Sequence, residues 1–392
     1  MTHPTFPFPE PMTPESWSAF LVKCADIPGV ADLTIQSEDF VWAKINNVYR
    51  PITDRRVESS EIESAIVYSY GPTGISTLNS GEDLNFAFNA QKTVREGSRF
   101  RVNVTRGRVG EVGDGMSLTM RFITDAPRDL LTLGLEDDII ENFFPQYGMV
   151  LVVGTTGSGK TTMLTAANAH RLKRKEKPIK FIGFEDPIEN IYGRLGEGHM
   201  PKAFQAEIGV GRHLNTFSQA GPNAMRRGAD VIQIGEMRDI HSFEAGFEMA
   251  MTGHAVYATM HVETPAQAID RAISLFPYDS QPAAASKLRA QLRMVVAQKQ
   301  FATLDGKSAR VRSWLVMDRE VRRRLAELKC NQWENELDLV CRERETDFDT
   351  QALPYLRDRR INLEGYCAIT SMTPKEARNF ANERGVDVST VG

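Results

Sequence analysis

The pattern of apolar and polar positions changes character near residue 130. Before it come short strand-like runs at 39–48, 64–70, 100–104 and 117–123, the last two of them alternating apolar and polar residues. A period of two predicts half-buried strands. Gly71-Pro72-Thr73-Gly74 and Gly113-Asp114-Gly115 punctuate these runs as turns. A small α+β domain is expected over residues 16–123, preceded by an extended, proline-rich arm at 1–15. Thr124-Asp125-Ala126-Pro127 breaks the alternation and marks a linker over 124–130.

After residue 130 the apolar positions come in blocks. Residues 133–144 have helical spacing, and 149–153 form a continuous apolar run, as in a strand buried on both faces. Further runs lie at 178–184, 231–234 and 255–260, with a helical stretch at 161–175. Strands alternating with helices predict βαβ units, a parallel sheet and an α/β domain over 131–300. Beyond about residue 279 the spacing is mostly helical, with a strand at 311–316. A helical C-terminal region is therefore expected over 301–392.

Composition narrows the class. Hydrophobic residues make up 41% and charged residues 25%, which excludes extensive disorder. Forty-seven Lys and Arg face 51 Asp and Glu, a net charge of −4. That balance argues against a dedicated nucleic-acid binder. The cysteines, Cys24, Cys330, Cys341 and Cys367, form no CxxC pair, so neither a zinc ribbon nor a disulfide framework is expected. No apolar run is long enough to span a bilayer. The N-terminal stretch lacks a basic apolar leader. A cytoplasmic protein is expected, with any membrane contact made through a partner and no direct insertion.

Residues 154–162 read GTTGSGKTT. Gly154, Gly159, Lys160 and Thr161 fill the spacing of a phosphate loop. Glycines let successive backbone N–H groups turn toward phosphate oxygens, and a helix starting at Lys160 aims its dipole at the same anion. The whole loop, Gly154, Thr155, Thr156, Gly157, Ser158, Gly159, Lys160, Thr161 and Thr162, is expected to bind ATP. Lys160 would reach the β- and γ-phosphates, and Thr161 would hold Mg²⁺.

Two acidic clusters follow strand-like runs: Glu185, Asp186 and Glu189 in FEDPIE, and Glu236 and Asp239 in GEMRD. Carboxylates at the carboxyl edge of a parallel sheet can orient a water, accept its proton or bind Mg²⁺. Acidic strand-end turns without a ligand are the plain alternative. The basic run at 171–177 reads as a solvated helix end.

These boxes, with TGHAVYATMH at 252–261, occur in the order seen in the type II and type IV secretion ATPases. The chain resembles that PilT-like family of hexameric traffic motors from about residue 86 to at least 316. The resemblance implies a RecA-like P-loop core, a smaller PAS-like N-terminal α+β domain, a homo-hexamer and inner-membrane secretion or conjugation partners. By the same resemblance Glu185 handles the attacking water, and Glu236 lies near Mg²⁺. His254 and His261 sense phosphate and subunit contact. Arg101 and Arg121 are arginines that the N-terminal domain points at ATP. Arg226 and Arg238 match interface arginines of the motor domain.

The zinc insertion of extension motors is absent, and Gln205-Ala206-Glu207-Ile208-Gly209 departs from the QREVG of retraction motors. The wording of this stretch, with His213, and of TGHAVYATMH resembles the DotB and TraJ subgroup of type IVB secretion and plasmid transfer. Pilus retraction stays open as an alternative. So do a DNA translocase or helicase on the same core, a nucleotide-gated assembly scaffold and, more weakly, a small-molecule kinase.

Overall fold

The computed structural model describes residues 5–46, 48–91, 97–109, 113–123, 127–174, 176–192, 203–209 and 212–386. The chain divides into two compact units: residues 1–126 with 186–191, and residues 127–185 with 192–392. Residues 124–126 of the expected linker and 1–4 of the expected arm lie outside the described residues.

The first unit is built on an antiparallel sheet. Its strands are β1 (Val30–Gln36), β2 (Trp42–Ile45), β3 (Val48–Pro51), β4 (Leu84–Gln91), β5 (Gly97–Val109) and β6 (Gly113–Ile123), in the order β3-β2-β1-β6-β5-β4. Phe100, Val102 and Val104 on β5 and Leu118 and Met120 on β6 point into one core. The helix Pro14–Ala25 covers that face because Trp17, Phe20, Leu21 and Cys24 recur at helical spacing. Its start is fixed by reciprocal bonds: Ser16 N–H donates to Thr13 Oγ1, and Thr13 N–H donates to Ser16 Oγ. Burial pushes the Cys24 thiol up to about 12. Of the expected arm, Phe8 is buried in this core, and Phe6 N–H donates to the Ile52 carbonyl.

One expected strand is a helix. Of residues 64–70, all but the C-cap Tyr70 fall in the helix Ser59–Ser69, which buries Ile62, Ala65 and Ile66. The Ile66-Val67-Tyr68 triplet has strand propensity. The spacing of Ile62, Ala65 and Ile66 gives a helical stripe that matches the core, and packing decides.

The second unit holds a seven-stranded sheet. Its strands are β7 (Gly148–Val153), β8 (Phe181–Glu185), β9 (Phe204–Glu207), β10 (Val231–Ile234), β11 (Ala255–Met260), β12 (Leu292–Ala302) and β13 (Ser308–Val316). The order is β13-β12-β7-β11-β10-β8-β9, parallel throughout except for the β12–β13 hairpin. Both faces are covered: Met149, Leu151 and Val153 face one core, and Val150 and Val152 face the other. On the second face the helix Lys160–Leu172 supplies Met163, Leu164, Ala166, Ala167 and Ala169.

Residues 292–302 have helical neighbours in the sequence but form β12, so the core sheet crosses the boundary expected at residue 300 and ends at Val316. Helices follow, from Arg319–Ala326 to Pro374–Glu383. Leu337, Val340, Leu353, Leu356, Tyr366 and Ile369 on these helices join the first of the two cores. The C-terminal region is therefore part of the same packed body. The helical stretch expected at 133–144 is shorter, a single helix at Asp137–Asn142 after a 3₁₀ turn. Among the described residues no helix is long and apolar enough to cross a membrane.

Candidate functional site

The phosphate loop joins the carboxyl end of β7 to the helix Lys160–Leu172. Two of its glycines are sterically required. Gly154 has φ 148°, and a Cβ there would meet the Gln298 carbonyl and stand 2.6 Å from Ser158 Oγ. Gly159 has φ 92°, and a Cβ there would stand 2.9 Å from Gln298 Nε2 and 3.0 Å from Arg310 Nε. Lys160 is buried at 6% exposure, and its Nζ donates to Gly154 O at 2.8 Å and Thr155 O at 2.9 Å. The loop is thus closed by its own lysine. Thr155, Thr156 and Gly157 are exposed at its tip, and Thr161 and Thr162 are half-buried on the first turn of the helix. Ser158 Oγ is buried with no hydrogen-bond partner. A buried hydroxyl left unpaired in such a loop fits a site that a ligand completes.

A polar brace under the loop was not foreseen from the sequence. Gln298 on β12 donates from Nε2 to the Ser158 carbonyl at 2.6 Å, and its Oε1 accepts from Arg312 Nε at 2.9 Å. Arg312 on β13 also donates to the carbonyls of Leu133 and Gly134 and pairs with Glu136. Gln298 and Arg312 are 2% and 3% exposed. The sequence offered little signal, because Gln298 and Arg312 lie in MVVAQKQF and ARVRSWLV beside other polar residues, Lys299, Gln300, Arg310 and Ser313. Buried polar groups persist where their hydrogen bonds are satisfied.

Glu236 and His261 meet at the same edge. Glu236 follows β10 and His261 follows β11, both leaving the carboxyl ends of parallel strands. His261 Nε2 lies 3.8 Å from Glu236 Oε1, and His261 Nδ1 lies 3.5 Å from Thr156 Oγ1. Glu185 ends β8 and is 3% exposed. Its Oε1 accepts from Gln205 Nε2 at 2.9 Å. Burial, then the nearby Glu185 charge, holds the Tyr192 phenol well above its ordinary range.

His254 is not brought to this edge. It precedes β11, at the amino end, and its Nδ1 lies 3.0 Å from Met249 O and 3.1 Å from Thr252 Oγ1. A strand of that length separates it from His261 by roughly 20 Å. Asp239 caps the helix Ile240–Met251 by accepting from Ser242 N at 2.8 Å. His213 Nδ1 accepts from Glu207 N at 2.9 Å, a turn-closing bond. Arg226 and Arg238 are exposed.

Arg101 and Arg121 belong to the first unit. They stand opposite each other on β5 and β6, in one row with Asp32 on β1. Arg121 Nε donates to Asp32 Oδ1 at 2.7 Å, and Arg101 Nη1 to Glu189 Oε1 at 3.0 Å. Each is thus held by a carboxylate of its own unit.

A phosphate loop at the carboxyl edge of a largely parallel sheet, flanked by strand-end carboxylates, defines a RecA-like P-loop nucleotide-binding fold. The chain belongs to the family described as Type II/IV secretion system protein, which matches residues 88–345. It is 30% identical over 284 residues to the type IV pilus ATPase PilU of Pseudomonas aeruginosa, covering 72% of this chain and 69% of that protein. The X-ray structure of the Legionella pneumophila ATPase DotB matches with TM-score 0.84 and 29% identity, over 95% of this chain and 99% of that one. A crystal structure of the pilus retraction motor PilT with bound ADP shares the fold, with TM-score 0.75 and 24% identity, over 92% and 98% of the two chains. The protein is a type II/IV secretion traffic ATPase of the DotB and PilT kind.

Proposed function

We propose that this chain is the ATP-hydrolysing subunit of a hexameric motor that powers a type IV secretion apparatus of the IVB or conjugative type. The motor would work in the cytoplasm, peripheral to the inner membrane through the components it drives. The observation that carries the reading is the convergence at one sheet edge of the closed phosphate loop, Glu236 and His261, within 3.8 Å and 3.5 Å of one another through the His261 ring.

The chemistry follows from these residues. The backbone N–H groups of residues 154–162 cradle the phosphates of ATP, and the Ser158 hydroxyl gains a partner. Lys160 exchanges the Gly154 and Thr155 carbonyls for β- and γ-phosphate oxygens. The Thr161 hydroxyl and the Glu236 carboxylate would hold Mg²⁺, which when bound neutralises charge on those oxygens. In this reading phosphate oxygens of the nucleotide complete the Mg²⁺ shell. Glu185 takes the proton of the attacking water. His261 reports the γ-phosphate through Thr156 and Glu236. Arg101 and Arg121 act on ATP held by a neighbouring subunit, where a guanidinium fork suits phosphate oxygens.

Glu185→Gln tests the chemistry: ATP binding is retained and turnover is lost. Normal hydrolysis by that variant removes Glu185 from its role. Specific activity that rises with protein concentration, in step with a hexamer seen by light scattering, tests the ring.

A second reading is a type IV pilus retraction motor, favoured by 32% identity over 209 residues with the type IV pilus retraction ATPase PilT of Pseudomonas aeruginosa. A strain lacking the protein separates the two. Loss of plasmid transfer or effector secretion supports the first, and loss of twitching alone supports the second.

A further inference from the structure

We infer that Gln205 is the positioning residue for the Glu185 carboxylate, fixing where that group stands when it meets the attacking water. The inference rests on the reading of Glu185 given above.

Strands β8 and β9 run parallel, with Gly183 opposite Gln205 and Glu185 opposite Glu207. Residues two apart on a strand share a face, so the Glu185 side chain emerges beside the bare backbone of Gly183. The carboxylate folds back over that gap. Its Oε1 lies 3.0 Å from where a Cβ of residue 183 would stand, and Gln205 Cγ lies 3.3 Å from the same point. Gln205 Nε2 donates to that Oε1 at 2.9 Å.

The orientation of the Gln205 amide is itself determined. Its Oε1 accepts the Tyr192 N–H at 3.0 Å, so the NH₂ end must face Glu185. Tyr192 is fully buried and stacked edge-on against Phe181. Its hydroxyl donates to Gln233 Oε1 at 2.9 Å, and Asn168 Nδ2 donates to the same oxygen at 2.8 Å. Gln233 and Asn168 are buried on β10 and on the helix that follows the phosphate loop. Gln205 is thus a rigid donor, tied through Tyr192 to the loop's own helix, with a glycine making room for the group it holds. Such a buried network fixes one arrangement of its members, with Asn168 Oδ1 the atom left without a partner among the described residues.

The test compares Gln205→Leu and Gly183→Ala with the unaltered full chain, and uses Glu185→Gln as the control. Gln205→Leu removes the donor. Gly183→Ala keeps the donor and puts a methyl 3.0 Å from Oε1, close enough to displace the carboxylate, at a backbone conformation that alanine accepts. Steady-state ATP turnover, equilibrium ADP binding and thermal melting are measured on each. The expected result is a kcat lowered about ten- to a hundredfold in both variants, with KM and ADP affinity within about twofold of the parent. A kcat unchanged or raised in both, with Glu185→Gln inactive, overturns the role of Gln205 and leaves that of Glu185 standing. Parallel losses of kcat, ADP affinity and melting temperature overturn it also, because they mark a structural brace. Turnover by Glu185→Gln removes the reading of the site on which the inference rests. Should Gln205→Leu fail to fold, Gly183→Ala carries the same comparison.

Discussion

The ring of His261 stands between Glu236 and the phosphate loop, with Nε2 3.8 Å from Glu236 Oε1 and Nδ1 3.5 Å from Thr156 Oγ1. His254, seven positions earlier, has its ring against the Met249 carbonyl at the far end of the same strand. The two histidines therefore separate experimentally. His261→Ala is expected to lower kcat by about a hundredfold, in the range for loss of a positioned acid–base or sensing group. His254→Ala is expected to act on stability, with a melting temperature a few degrees lower and near-parental turnover per folded subunit. Equal losses of kcat would contradict this division.

Lys160→Ala removes the cation from the loop and the two bonds that close it, to Gly154 O and Thr155 O. A ligand that binds only the folded protein raises its melting temperature. Saturating ATP should therefore raise the melting temperature of the parent and leave that of Lys160→Ala unmoved. The check is differential scanning fluorimetry with and without nucleotide.

Gln298→Leu should damage the loop from beneath. It strips a partner from the Ser158 carbonyl and another from Arg312 Nε. Each buried group left unsatisfied costs about 1–3 kcal/mol, more when charged. The expected signature is weaker ATP binding together with a lower unfolding midpoint in urea. That pairing distinguishes this brace from Gln205, where kcat alone should fall.

Burial, with the Asp347 charge second, pushes the Asp349 carboxyl up from the ordinary carboxylate range to about 6. In the unfolded chain this group loses its proton first as pH rises. Stability is therefore lost between about pH 4 and pH 6, and the cost is fully present above that window. Asp349→Asn removes it. The variant should be more stable than the parent at pH 7.5, by roughly 1–2 kcal/mol after allowance for solvent screening. At pH 3.5 it should show no gain. Chemical denaturation at the two pH values checks the sign.

Much of the site was legible in the sequence because its signals are local. A phosphate loop needs consecutive residues, so GTTGSGKTT specified Gly154, Lys160 and Thr161 without reference to the rest of the chain. Strands buried on both faces announce themselves as mostly apolar runs, and β10 and β11 fall on residues 231–234 and 255–260 as expected. The family boxes carried Glu185, Glu236 and His261 together.

Tertiary structure decided what depends on partners far away in the chain. Residues 292–302 carry no local mark that distinguishes a strand from a helix, and they become β12 because they pair with β7 and β13. Residues 64–69 become helix because Ala65 and Ile66, with Ile62 before them, fit a core assembled from five strands and two other helices. Gln205, Gln298 and Arg312 matter through hydrogen bonds to residues 20, 140 and 14 positions away. His254 and His261 lie in one short motif, yet an extended strand carries them to opposite edges of the sheet. Sequence records which groups are available and how they alternate, and only the packed sheet determines which of them meet.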